Sequence, residues 1–119
     1  FGEKTFNLVM PGLDGAEKMA GLMKSLRETP PAEIAGVKVA TYKDYADGTA
    51  RDAASGEVTK IALAGSNVLR FELADGTHIV VRPSGTEPKI KVYVLTKGAD
   101  ARERDANLEK YAAWVKTLA

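Results

Sequence analysis

The sequence predicts an α+β fold, an antiparallel sheet with two helices packed on one face. Three observations carry that expectation. Apolar residues alternate with polar ones in several short runs, the period of a half-buried strand. Two longer stretches, one near each end, carry apolar residues at helical spacing instead. An amphipathic helix must bury its stripe against something, and one face of a sheet supplies the surface.

Taken in order, Lys4 to Met10 alternate weakly, with Phe6 and Leu8 on one side, and end at the breaker Pro11-Gly12, as a first strand would. Asp14 with Glu17 three positions on is an acidic capping pattern, and Met19, Leu22, Met23 and Leu26 share one helical face. Thr29-Pro30-Pro31 stops that helix, because proline lacks an amide hydrogen and restricts the residue before it. Val37, Val39 and Thr41 alternate with Lys38, Ala40 and Tyr42, which predicts a strand to about Tyr45. Ala46 to Gly56, with Asp47-Gly48 and Ser55-Gly56, reads as a long turn or exposed loop.

Four strands should follow. Val58 to Leu63 is the first; Leu69, Phe71 and Leu73 mark the inward face of the next, and Asp75-Gly76 is a strong hairpin signal. Ile79 and Val81, then Ile90, Val92 and Val94, continue the inward pattern. Asp100 with Glu103 opens a last helix whose stripe is Leu108, Tyr111, Ala112, Val115 and Leu118. The predicted order is β-α-β-β-β-β-β-α.

Composition bounds the function. With 119 residues, 45% of them hydrophobic, the chain suits one domain with a genuine core. It opens at Phe1 rather than methionine and reaches a strand almost at once, which suggests a segment of a longer protein. Lys+Arg 17 against Asp+Glu 16 leaves a net charge of +1, so no global field calls for nucleic acid or an anionic membrane. Any anion site is local. The absence of cysteine removes disulfides, thiol nucleophiles and thiolate metal sites, and fits a cytoplasmic setting. No apolar run reaches the roughly 18 to 20 residues of a membrane span, and no dense Asp/Asn cluster marks a metal site. His78 stands alone on the outward face of a strand, and Trp114 and the Met19/Met23 pair suit packing.

One segment carries chemistry. Between the inward pairs Ile79/Val81 and Ile90/Val92 the chain turns through Pro83-Ser84-Gly85-Thr86-Glu87-Pro88, bracketed by Arg82 and by Lys89 and Lys91. A phosphate monoester is nearly dianionic at neutral pH and offers three acceptor oxygens. Ser84 and Thr86 offer hydroxyl donors, Gly85 lets the backbone amide approach an anion, and two prolines stiffen the loop. Arg82 can grip two oxygens at once, whereas a lysine adds a point charge. Strand alternation puts Lys89 and Lys91 opposite the face of Ile90 and Val92, and Arg82 opposite that of Val81. If the two strands pair, all three cations face one concavity. The same residues would also serve as a plain tight turn between polar edge positions, since basic and hydroxyl side chains are common at hairpin ends.

Arg82-Pro83-Ser84-Gly85-Thr86-Glu87-Pro88-Lys89, followed by Ile90-Lys91-Val92-Tyr93, resembles the phosphate-binding signature of the fourth, C-terminal domain of the α-D-phosphohexomutase family, the phosphoglucomutases and phosphomannomutases. Ser66 to Leu73, then Asp75-Gly76, resembles the segment leading into that loop in bacterial phosphoglucomutases and their phosphopentomutase relatives. Asp44-Tyr45 and the turn from Pro11-Gly12 to Gly15 fit the same branch. The resemblance implies a fold of the TATA-box-binding-protein type, residues 1–119 being one C-terminal domain of a four-domain enzyme. It implies an isomerase that transfers phosphate intramolecularly, with a phosphoserine and a Mg2+ site on other domains and a sugar 1,6-bisphosphate as the intermediate expected for the parent enzyme. This domain, inactive alone and without a cofactor or catalytic residue of its own, would hold the phosphate that is not being transferred.

By resemblance the contacts are Arg82, Ser84, Gly85 and Thr86, with Lys89 as a helper and Lys91 where many relatives have arginine. The implied partners are a sugar phosphate, glucose 1-phosphate or 6-phosphate on the branch resemblance, and the other domains of the same chain, with no nucleic acid and no membrane. Two other classes stand beside this one. The Arg82/Lys89/Lys91 patch could serve a non-enzymatic module that binds nucleic acid or another polyanion, or the chain could act mainly as a docking surface for its neighbouring domains.

Overall fold

Eight strands and two helices follow one another as β1 (Gly2–Val9), α1 (Gly15–Glu28), β2 (Glu33–Ile34), β3 (Val37–Asp44), β4 (Thr49–Asp52), β5 (Val58–Lys60), β6 (Leu69–Leu73), β7 (His78–Pro83), β8 (Lys89–Thr96) and α2 (Ala101–Lys116). The structure is a computed structural model, and it describes residues 2–9, 15–28, 31–46, 48–52, 55–61, 65, 67–83, 89–96 and 100–117. All strand pairs are antiparallel, in the order β1-β8-β7-β6-β3-β4-β5, with the short β2 added beside β3.

The predicted α+β class, one antiparallel sheet with two helices on one face, is the observed one. Leu69, Phe71, Ile79, Val81, Ile90, Val92 and Val94 are fully buried, and they form one core with Met19, Met23 and Leu26 of α1 and Tyr111 and Val115 of α2. The residues between them, Arg70, Glu72, His78, Val80, Lys91 and Tyr93, are only half-buried on the opposite, open face. Gly2 marks how closely α2 rides over β1, since a Cβ there would collide with Arg104 and Leu108.

Two elements were not legible beforehand. The stretch read as a long turn, Ala46 to Gly56, contains β4, which pairs with both β3 and β5. Its sequence, Thr-Ala-Arg-Asp, has one small apolar residue and no period to detect. β2 is two residues long and joins β3 through Ala35 and Gly36, both at positive φ (53° and 82°), as a two-residue type I′ turn requires.

The predicted inward set on β3 also needs correction. Val39 is buried as expected, but a register shift between Val39 and Thr41 inserts a bulge at Ala40. One extra residue exchanges the faces from there on. Tyr42 and Asp44 therefore point inward and Thr41 does not, which sets the Tyr42 ring 5.3 Å from that of Phe71. The inward carboxylate of Asp44 is satisfied by Arg27 Nε (2.8 Å) at the end of α1 and by the Ala46 amide (2.9 Å). The same Arg27 reaches Asn67 Oδ1 at 2.7 Å, tying helix, β3 and the approach to β6 together.

At α2 the capping reading is observed, with Asp100 Oδ1 accepting from the Glu103 amide at 2.9 Å. Tyr111 and Val115 are buried, Leu108 and Trp114 pack partly against the core, and Leu118 lies outside the described residues. So do the Asp14 cap, the Pro11-Gly12 breaker and Thr29-Pro30. Val58 begins the fifth strand as predicted, but the strand ends at Lys60.

α2 is pinned to the β6–β7 hairpin by one polar link. Tyr111 donates its hydroxyl to Asp75 Oδ2 (2.6 Å), while Asp75 Oδ1 accepts from the Thr77 amide (2.9 Å). Below them the buried Thr77 and Thr96 hydroxyls share a hydrogen bond of 2.8 Å. Burial pushes the Tyr111 hydroxyl above its ordinary value of 10, and the bond to Asp75 adds to the rise. Burial alone would raise Asp75, but hydrogen bonds from Tyr111 and Thr77 outweigh it and leave the carboxyl below its usual 3.8.

These links make stability depend on pH at both extremes. Above pH 10 the unfolded chain releases the Tyr111 proton while the folded chain keeps it, so stability falls as pH rises beyond that point. As pH drops below 3.8 the unfolded Asp75 takes up a proton that the folded one resists, and stability falls again. Tyr111→Phe should cost about 1.5–3 kcal/mol at neutral pH, the worth of a hydrogen bond to a charged acceptor. It should also flatten the alkaline limb of Tm measured from pH 7 to 11; an unchanged limb would show that Tyr111 does not control it. Separately, Ala35 holds a left-handed conformation that costs an L-residue roughly 1–2 kcal/mol, so Ala35→Gly should raise the urea midpoint, and a lower midpoint would contradict the strain.

Candidate functional site

β7 and β8 run side by side into the loop that the sequence singles out, and their register decides what faces what. Val81 lies opposite Val92, Arg82 opposite Lys91, and Pro83 opposite Ile90. Since Val81, Ile90 and Val92 are fully buried, alternation turns Arg82 and Lys91 together onto the open face. Lys89 faces the same way, two residues before Lys91, and β1 sets Val9 opposite Lys89 and Asn7 opposite Lys91. The structure thus brings together the three predicted cations at one end of the sheet. Ser84, Gly85 and Thr86 lie outside the described residues.

Like charges directly opposite each other across a ladder destabilise it by roughly 0.2–1 kcal/mol. Arg82 and Lys91 form such a pair, with Arg82 exposed and Lys91 half-buried. An anion placed between them converts repulsion into two attractions.

A second charged cluster lies further down the open face and differs in kind. Glu72 accepts an ion pair from Lys43 Nζ at 2.7 Å and another from Arg70 Nε at 3.4 Å. Arg70 Nη2 also donates to His78 Nδ1. Guanidinium has no acceptor, so this ring nitrogen carries its lone pair. Burial by itself would raise the Glu72 carboxyl, but Lys43, Arg70 and His78 together hold it below its ordinary 4.5. The described ion pairs at Glu72 do not extend to Arg82 or Lys91.

His78 therefore faces outward as expected, but it is partnered rather than alone. The signal was present in the sequence: Arg70 and Glu72 alternate with Leu69, Phe71 and Leu73, and a hairpin at Asp75-Gly76 puts His78 opposite Glu72. A depression of about 560 Å3 lies elsewhere, around the β3 bulge. Its charged lining of Glu33, Lys38 and Asp52 shows no excess of cations.

Residues 18–110 match the family model described as phosphoglucomutase/phosphomannomutase, C-terminal domain. A phosphoglucomutase of Staphylococcus aureus is 40% identical over 95 residues, 80% of this chain and 17% of the relative. One from Staphylococcus epidermidis is 38% identical over 94 residues, 79% of this chain and again 17% of the relative. A probable phosphomannomutase of Haemophilus influenzae is 35% identical over 118 residues, 99% of this chain and 21% of the relative. This chain thus spans about a fifth of the length of the relatives it matches. A solution structure of a Cytophaga hutchinsonii protein aligns over 96% of this chain and 87% of its own, at 12% identity and a TM-score of 0.39, too slight a likeness to bear on the fold. With the family match running from the first helix into the last, this chain belongs to the phosphoglucomutase/phosphomannomutase C-terminal domain family.

Proposed function

We propose that this chain is the phosphate-anchoring domain of a longer phosphosugar mutase. It holds the phosphate that is not being transferred, through Arg82, Ser84, Gly85, Thr86, Lys89 and Lys91. The supporting observation is the Arg82–Lys91 pairing: two like charges aligned across β7 and β8 on the open face, at the mouth of the loop. Sugar phosphates are the ligand class, with glucose 1-phosphate and 6-phosphate first on the branch resemblance.

The domain makes and breaks no bond in this role. Binding energy from the idle phosphate positions the reacting one, which lowers the barrier only if the rest of the sugar is held in register with it. Among the described residues no three His, Asp or Glu side chains come together to hold a metal. The Mg2+, the phosphoserine and the sugar 1,6-bisphosphate chemistry belong, in this proposal, to the remainder of the longer enzyme. The isolated domain is inactive but binds.

Titrating the 15N-labelled chain with glucose 6-phosphate should saturably shift the amides of residues 84–87 and Lys89. Arg82→Ala removes a charge-assisted contact of about 1.5–3 kcal/mol, so affinity should fall roughly 10- to 150-fold. Arg82→Lys should fall between, because it keeps the charge and loses the two-point grip. Shifts scattered over the surface, or an Arg82→Ala variant that binds like the parent, would defeat the proposal.

A further inference from the structure

The register adds a third strand to the site. β1 lies along β8 and places Asn7 directly opposite Lys91, which itself lies opposite Arg82. Residues directly opposite in an antiparallel pair point to the same face. The burial pattern agrees, since Leu8 and its partner Ile90 are both buried while Asn7 is exposed. Asn7, Lys91 and Arg82 therefore form one row across three strands of the open face. Val9, 61% exposed, stands on the same face of β1, opposite Lys89.

Adjacent strands are about 4.8 Å apart, so the row spans roughly 10 Å. That exceeds the reach of one phosphate group. If Arg82 and Lys91 share the phosphate, Asn7 stands one strand further out, within reach of the carbon skeleton of a phosphate ester that extends toward β1. Its chemistry differs accordingly. A carboxamide offers both donors and an acceptor, which matches hydroxyl groups that themselves donate and accept. The exposed Val9 beside it offers an apolar surface for ring carbons.

We infer that Asn7, on the edge strand, is a specificity residue that hydrogen-bonds the polyhydroxylated part of a sugar phosphate and separates it from inorganic phosphate. This rests on the phosphate reading of the loop from Arg82 to Lys91. The two cations supply affinity for any phosphate, and Asn7 supplies the preference for the ester.

The test compares inorganic phosphate with glucose 6-phosphate on the folded, 15N-labelled chain and its Asn7→Ala, Asn7→Asp and Arg82→Ala variants. Asn7→Ala should weaken glucose 6-phosphate about three- to tenfold, as loss of a neutral hydrogen bond would, and inorganic phosphate by less than twofold. Asn7→Asp should weaken both ligands, because it brings a carboxylate to the anion site. Arg82→Ala should weaken both ligands alike. If Arg82→Ala does so but Asn7→Ala leaves the two affinities in the parent's ratio, the Asn7 inference alone is overturned. An Asn7→Asp variant that binds phosphate like the parent would place Asn7 outside the site and overturn it too. If neither ligand moves the parent's amides, the phosphate reading and this inference fall together.

Discussion

The pairing of β7 with β8 is the constraint on which the candidate site depends. The loop between them joins two inner strands whose ends are held by the core. Val81 and Val92 are opposite each other and fully buried, so a slip of one residue would turn an apolar row to solvent and Arg82 into the core. The cost of that slip fixes the face of every cation in the row. Repulsion between Arg82 and Lys91 is small beside the burial of Ile79, Val81, Ile90, Val92 and Val94, each worth about 1.5–3 kcal/mol. A strong apolar register thus holds a mildly unfavourable polar one in place, which is how a binding site can be organised before its ligand arrives.

The opposite end of the hairpin is secured differently. β7 runs from the Asp75-Gly76 turn to the loop, and that turn is clamped by the Tyr111 hydroxyl from α2 and by the Thr77 amide. Thr77 is bonded in turn to Thr96 at the far end of β8. The two strands are therefore joined by buried polar side chains at one end and by a fully apolar row at the other. Both ends of the hairpin are thus fixed by contacts that lie outside the loop itself.

Most of the sheet was readable because its central strands obey period two without interruption. Leu69-Arg70-Phe71-Glu72-Leu73 and Ile90-Lys91-Val92-Tyr93-Val94 announce both their faces and their register. The failures have specific causes. β3 contains a bulge at Ala40, and nothing in the residue types around it reveals that one residue will go unpaired. β2 and β4 are too short and too polar to show a period, and they become strands only because β3 offers them an edge. The cations of the site were legible by alternation, whereas Asn7 was not, since its place depends on β1 pairing with β8, a contact between the two ends of the chain.

That long-range contact matters for how the open face divides its labour. Lys43 and Arg70 also face outward, yet Glu72 sits between them and offsets their charge. No described carboxylate plays that part at the Arg82/Lys91 row, whose neighbour on β1 is the neutral Asn7. Had β1 supplied an acidic residue opposite Lys91, the row would close on itself as an ordinary cross-strand ion pair, worth a few tenths of a kcal/mol to the fold and lost to any anion. A neutral, hydrogen-bonding residue at that position keeps the positive potential available while still offering a directed contact. The difference between the charge cluster at Glu72 and the candidate site at Arg82 and Lys91 thus comes down to what the adjacent strand places opposite the cation.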